Sequence, residues 1–278
     1  MQYAFSLRQT IKLLSIVMLV LSFTACKKNN EVKEVEVTKR TALEMYTSAK
    51  KSLDGGAWDN AITRYAALRR HYPFGHYTEQ GMLELAYAQY RRYQMEEAIV
   101  TLNRFVKNYP AHDHLDYAYY LKGLIYFNSE KGFFQKVKPD GAADRNQENV
   151  RNAFTSFKDF LERYPNSKFA PDAQKRMIYL KNQMAFYELS VGKYYLRRKA
   201  PIAALSRAKF VLESYQDTPA VADSMALMVE AYRLLGEDAL ADQSKEVLAQ
   251  NYPSHEYLRD GTIELETELI SWSDFWPF

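Results

Sequence analysis

Cysteine is nearly absent: Cys26 is the only one in 278 residues. No internal disulfide can form, and no cysteine-rich metal cluster can be built, so the fold must rest on packing alone. Glycine and proline are scarce, at ten and nine, which suits long helices and few sharp turns. A membrane-length apolar run is missing too. The run from Leu13 to Phe23, "LLSIVMLVLSF", is too short to span a bilayer comfortably. Neither sign of charge dominates, with 37 basic side chains against 34 acidic ones. Nothing in that balance points to nucleic acid as a partner. What is present, 47% hydrophobic and 26% charged residues, is the composition of a folded chain with a sizeable core.

The first 25 residues stand apart. They carry Arg8 and Lys12, no acid, and then the apolar run, the layout of a secretory signal. Small residues lead into Cys26, and together they resemble a bacterial lipobox, in which the thiol is diacylated and becomes the new N-terminus. Phe23 stands where that pattern usually has Leu. An uncleaved anchor or a chance thiol is the alternative. Residues 26–40 are polar and mixed in charge, and read as a tether of about 20 Å root-mean-square span. Lys27 follows the cysteine in place of the Asp that holds enterobacterial lipoproteins at the inner membrane. The expected address is therefore the periplasmic face of the outer membrane, through a lipid anchor.

The rest of the chain repeats itself. Tyr-Pro pairs occur at Tyr72-Pro73, Tyr109-Pro110, Tyr164-Pro165 and Tyr252-Pro253, each with an alanine twelve residues before the proline: Ala61, Ala98, Ala153 and Ala241. Proline cannot extend a helix and biases the preceding residue out of helical geometry, so each pair is a helix stop. Further small residues stand twelve before Ala61 and Ala98, at Ala49 and Ala86. A degenerate copy has Gly192, Ala204 and "ESYQDTP". Small residues facing one another let two helices pack closely, and the whole resembles the tetratricopeptide repeat. The expected fold is all-α: a solenoid of five helical hairpins over residues 41–258. The spacing predicts an inserted loop at about 128–147 and one long linking helix between repeats three and four. Residues 259–278 form an aromatic C-terminal tail, "ELISWSDFWPF" at its end. That tail reads as a cap on the last repeat, a docking segment for a partner, or a loose imitation of a barrel signal.

No residue set is arranged for chemistry. His112 and His114 make a His-x-His, but no third or fourth ligand completes a metal site. Asp140 and Asp144 lack the alternating oxygens and closing Glu of a calcium loop. "LDGG" has no phosphate-loop context. Glu96 and Glu97 lie at a helix start, where they favour the dipole. The sequence reads as a binding protein without catalytic residues, cofactor or metal.

Positions one and four after the small packing residue, and three and six before it, share one helical face. In the first three repeats this face holds Tyr46, Leu83, Tyr87, Tyr90, Tyr117, Tyr120 and Phe127. As a set they fit an extended peptide with aromatic side chains, while any one of them could instead pack between repeats. "YPFG", "FVKNYPAHDHLDYAYYLKGL", "GFF" and "AFTSFKDFLERYPNSKFAPDAQKRMIYLK" together resemble the BamD family of outer-membrane assembly lipoproteins, from about residue 41 to 253. The resemblance implies a lipidated accessory subunit of the BAM machine, which folds β-barrel proteins into the outer membrane. It implies that the N-terminal repeats bind the C-terminal signal of unfolded barrels. It also implies that the C-terminal repeats dock the last POTRA domain of BamA, among other BAM subunits. By the same resemblance Tyr72 falls at the substrate end, and Arg207 in "ALSRAKF" falls on the BamA-facing half. "YQDT" departs from the family's Tyr-Pro, and the tail is longer. The rival reading is a lipid-anchored repeat scaffold for cell-wall or division proteins.

Overall fold

A computed structural model describes residues 41–129 and 143–263. The leader, the tether with Cys26, residues 130–142 of the insert and residues 264–278 of the tail lie outside the described residues. Among the described residues there is no strand. The helices are α1 (Ala42–Asp54), α2 (Trp58–His71), α3 (His76–Arg91), α4 (Met95–Asn108), α5 (Leu115–Ser129), α6 (Ala143–Arg163), α7 (Ala170–Arg197), α8 (Pro201–Ser214), α9 (Ala220–Leu235), α10 (Asp238–Asn251) and the single turn α11 (Tyr257–Asp260). The first ten follow one another in the order the five expected tetratricopeptide hairpins require, and α1 packs on α2, α5 on α6, α7 on α8 and α9 on α10. Residues 128–129 and 143–147 of the expected insert are already helical. Their polar sequence had the look of a loop, yet Gln147 is buried as α6 gets under way.

The sequence signals act where the spacing put them. Ala61, Ala98, Ala153, Ala204 and Ala241 are all buried, as are Ala49 and Ala86. A Cβ on Gly123 would fall 2.5 Å from the Phe157 ring, and one on Gly192 2.6 Å from Leu227 Cδ2. Those two glycines let α5 meet α6, and α7 meet α9, at a distance no side chain permits. The second helix of every hairpin ends one residue before a tyrosine, whose amide donates to the carbonyl four residues back. The distances run from 2.7 Å at Tyr252 to 2.9 Å at Tyr109. Tyr215 makes the same bond at 2.8 Å although glutamine, not proline, follows it. The tyrosine caps the helix, and the proline reinforces the stop.

The turns inside the hairpins share another geometry. Gly56, Tyr93, Lys199 and Gly236 have φ of 70°, 63°, 55° and 75°. The next amide reaches back five residues: Ala57 to Ser52, Gln94 to Gln89, Ala200 to Tyr195 and Glu237 to Tyr232, at 2.9–3.0 Å. This is the Schellman stop, in which a left-handed residue satisfies the last carbonyls of the helix.

The described chain divides between Ala88 and Gln89, inside α3, into two compact units. The first has a core of Met45, Ala49, Leu53, Ala61, Tyr65, Leu68, Leu85 and Ala88. Thr41 opens it with a capping box: Glu44 Oε2 accepts from the Thr41 amide at 2.8 Å, and Thr41 Oγ1 from the Glu44 amide at 3.2 Å. In the second unit α7 serves two cores. Its residues through Met184 pack with Phe157 and Phe160, while Ala185, Phe186, Leu189 and Leu196 pack with α8 and α9. Its 28 residues reach about 42 Å at the helical rise. The linking helix and the first helix of repeat four are therefore one continuous rod.

Candidate peptide-binding and partner-docking surfaces

In the first unit the candidate residues gather around one carboxylate. Glu84 is the only charged residue between Gly81 and Gln89. Tyr46 donates its hydroxyl to Glu84 Oε1 at 3.0 Å, Gln80 Nε2 donates to the same oxygen at 3.1 Å, and Tyr65 donates to Oε2. Lys50 Nζ stands 3.6 Å from Glu84 and 3.0 Å from Asp54. Burial, then the charge of Glu84, pushes the Tyr46 hydroxyl far up; burial, then its bond to Glu84, does the same at Tyr65. Both hydroxyls stay protonated donors throughout the ordinary pH range.

Around this hub Tyr46 lies 5.5 Å from Tyr77 and 6.2 Å from Tyr65, ring to ring. Tyr87 is half-buried, edge-on to Trp58 at 6.2 Å. Tyr72 is half-buried as the cap of α2, and beside it Phe74 is 85% exposed. Leu83 is 2% exposed and packs inside.

In the second unit Tyr90 accepts from Asn128 Nδ2 at 2.7 Å, and Tyr117 lies 5.5 Å from Phe169. Tyr120 is buried. It stacks on Phe169 at 4.7 Å and donates to Asp172 Oδ2 at 2.6 Å. Arg176 closes on the same oxygen at 2.5 Å and lies 4.7 Å over the Phe127 ring. Phe127 is 1% exposed. Burial acts to raise the Asp172 carboxyl, but the bonds from Arg176 and Tyr120 outweigh it and hold the group below its usual range.

The register explains this split. Positions three before and four after the packing residue point between helices, which buries Leu83, Tyr120 and Phe127. Positions six before and one after stay half-open, as at Tyr117 and Tyr87. Tyr46 and Tyr90 are the exceptions, inward by count and half-exposed in fact. Of the candidate rings, Tyr46, Tyr72 and Tyr87 in the first unit and Tyr90 and Tyr117 in the second keep part of their surface exposed.

Arg207 sits on α8 and reaches α7. Its Nη1 meets Glu188 Oε2 at 2.8 Å, with 42% of the arginine side chain exposed and 15% of the glutamate. The bond to Glu188 raises the already high guanidinium pKa. Glu84 and Glu188, the acids that organise these two places, were not among the sequence candidates. The isolation of Glu84 in "GMLELAYA" was the signal that could have found it. His112 and His114 build a turn: His112 Nδ1 accepts from the His114 amide at 3.1 Å, and its ring lies 5.0 Å from Phe105. Among the described residues no three His, Cys, Asp or Glu side chains converge to hold a metal. None of the described helices is long and apolar enough to cross a membrane.

Residues 38–248 match the YfiO family, described as "Outer membrane lipoprotein". The outer membrane protein assembly factor BamD of Xylella fastidiosa is 41% identical over 215 residues, 77% of this chain and 73% of that protein. The BamD of Vibrio cholerae is 38% identical over 208 residues, 75% of this chain and 86% of its own. The BamD of Neisseria meningitidis serogroup A is 33% identical over 267 residues, 95% of this chain and 99% of that protein. A family match over most of the chain, joined to relatives this similar over most of their length, leaves one conclusion: the chain belongs to the outer-membrane lipoprotein family of the BamD assembly factors.

Proposed function

We propose that the protein is a lipid-anchored accessory subunit of the BAM machinery at the periplasmic face of the outer membrane. Its N-terminal repeats bind the aromatic C-terminal signal of unfolded barrel proteins, and its C-terminal repeats dock the last POTRA domain of BamA. The reading is supported most by the half-open tyrosines of the first three repeats. Their rings offer flat apolar area at low entropic cost, and their hydroxyls are donors and acceptors for an extended backbone. No bond is made or broken in this role, so no catalytic residue or cofactor is required.

The test is a titration of a barrel-derived C-terminal peptide, followed by a pull-down from detergent extract read by mass spectrometry. Tyr87→Ala with Tyr90→Ala should weaken the peptide by a few kcal/mol with helicity retained. Equal loss of stability and binding would assign those rings to packing instead. Arg207→Glu should lose the POTRA partner while sparing the peptide, and Glu188→Arg in the same chain should restore the ion pair but not the partner. Cys26→Ser should move the protein out of the membrane fraction, because acyl chains contribute about 0.8 kcal/mol per buried CH₂. Retention after a salt wash would contradict lipidation as the anchor.

A further inference from the structure

Between Glu188 and Glu213 the sequence holds six cations and no acid: Lys193, Arg197, Arg198, Lys199, Arg207 and Lys209. Three of them are turned to the fold. Lys193 is buried, Arg207 pairs with Glu188, and Lys209 lies 5.9 Å over the Tyr232 ring. The other three, Arg197, Arg198 and Lys199, are exposed and stand together at the turn between α7 and α8. Apolar side chains flank them: Tyr194, 50% exposed, on one side, and Ile202, 72% exposed, on the other. The turn is fixed by its backbone. The Arg198 amide donates to the Tyr194 carbonyl at 3.1 Å and the Lys199 amide to that of Leu196 at 3.0 Å, and Pro201 opens α8. Lys199 has a φ of 55°, at the position where a helix most often ends on glycine. A side chain held there carries a conformational cost, and what this one presents to water is a charge.

The other described hairpin turns lack this combination. Asp54 precedes Gly55 and Gly56 in the first, Arg91 and Arg92 in the second are answered by Glu96 and Glu97, and Leu234 and Leu235 in the fifth are followed by Glu237 and Asp238. We propose that the α7–α8 turn is a membrane-contact tip: Arg197, Arg198 and Lys199 lie among anionic phospholipid headgroups, and Tyr194 and Ile202 seat at the edge of the acyl layer. The contact goes beyond the lipid anchor and rests on that reading only for bringing the domain to a bilayer. Cations flanked by an exposed aromatic and an exposed aliphatic side chain have the chemistry of the membrane interface, where the charges meet headgroups and the apolar groups leave water. An acidic protein would answer the same charges, but a stable protein interface takes about 800 Å² from each partner, more than a single turn presents. A bilayer needs only a few side chains, because each cation near an anionic surface adds about five-fold to affinity, and an anchored chain meets that surface at high effective concentration.

Cys26 is the only native cysteine, so with Cys26 acylated Ile202→Cys supplies the single free thiol, and a nitroxide attached to it reports depth. The experiment reconstitutes the labelled lipoprotein through its own anchor into two kinds of vesicle, phosphatidylcholine alone and phosphatidylcholine mixed with phosphatidylglycerol, at low salt. In the mixed vesicles dissolved oxygen should relax the nitroxide several-fold more than an aqueous nickel chelate does, and in the neutral vesicles the order should reverse. Arg198→Glu with Lys199→Glu should return the label to water while circular dichroism stays helical. If that pair does not fold, Arg198→Gln with Lys199→Gln is the substitute. A label that stays in water in the mixed vesicles overturns the proposal. Equal insertion into both vesicles, or insertion that survives loss of the two charges, overturns it as well. So does a label that leaves water only when BAM subunits are added, which would give the tip to a protein partner. A second nitroxide on Cys26 would mean instead that the anchor reading has failed. Cys26→Ser then restores a single label, and the same vesicles added to that chain test the tip alone.

Discussion

Two carboxylate nodes, one in the first unit and one near the C-terminal end, are built alike and balanced differently. At Glu230 the Tyr257 hydroxyl donates to Oε1, and Arg233 meets the same oxygen at 3.0 Å and the Tyr257 oxygen at 2.9 Å. Each group there has a second partner. At Glu84 two tyrosines and a glutamine converge, while the nearest cation, Lys50, is 3.6 Å away and nearer to Asp54. The first node is rich in donors and lightly compensated in charge, and the second is closed. On the proposed peptide-binding role, a lightly compensated acid under half-open rings would exchange partners with an arriving peptide. A guanidinium-locked one fixes a repeat in place.

The sharpest break in this comparison is deletion of each acid. Glu84→Ala leaves the Tyr65 hydroxyl, on a residue only 2% exposed, and the Tyr46 hydroxyl without their acceptor. The expected loss is about 2–4 kcal/mol, since an unpaired buried polar group costs about 1–3 kcal/mol. Glu230→Ala strips one buried hydroxyl donor, that of Tyr257, of its acceptor, while the Tyr257 oxygen still accepts from Arg233. With one orphaned donor instead of two, about 1–2 kcal/mol is expected. Denaturant unfolding of both variants measures the difference, and equal losses would erase the distinction. Glu84→Gln keeps an acceptor and should recover most of the stability. If it also keeps full peptide affinity, the charge of Glu84 has no part in recognition.

Next in size come the glycines at helix contacts. Gly123→Ala and Gly192→Ala force a Cβ to within 2.5–2.6 Å of a core side chain and should cost about 1–3 kcal/mol. Gly81→Ala in the first unit meets Tyr65 and Leu68 at 3.2–3.3 Å, and should cost less, because those side chains need give only slightly. Thermal melts rank the three.

The hairpin alanines and tyrosine stops were legible in the sequence because each depends on local rules: small residues where helices touch, and a residue before proline at a helix end. The five repeats and the long α7 followed from spacing alone. Which aromatic ring faces out was not legible. Tyr117 and Tyr120 are three residues apart on one predicted face, yet Tyr120 is stacked under Phe169 and tied to Asp172 from a helix 52 residues on. Burial at that position is decided by what α7 brings over it, which helical period does not contain. Arg207 was placed by resemblance, and its partner Glu188 needed the packing of α8 on α7 to appear.

A third node, Tyr120–Asp172–Arg176, adds a pH dependence. The folded carboxyl of Asp172 lies below its usual value of 3.8, so its contribution is fully present above that value. It is lost as pH falls through the depressed folded value. Partial exposure of the pair reduces the effect by screening. Stability measured from pH 6 down to pH 2 should fall less steeply in Asp172→Asn than in the parent, and parallel curves would remove Asp172 from the acid response.

The smallest effect concerns the Schellman turns, where Gly56 and Gly236 share their left-handed geometry with Tyr93 and Lys199. An L side chain in that conformation costs about 1–2 kcal/mol, and glycine gives part of this back as a freer unfolded chain. Lys199→Gly should therefore stabilise by about 0.5–1 kcal/mol, and Gly236→Ala should destabilise by a similar amount. Tyr93→Gly should match Lys199→Gly if its ring, 73% exposed, contributes nothing to the fold. Strain of this kind persists where the side chain has a use. A Tyr93→Gly protein that melts higher yet pulls down less of a BAM partner would show that the tyrosine is kept for contact. One that melts higher and binds unchanged would leave its strain without a function.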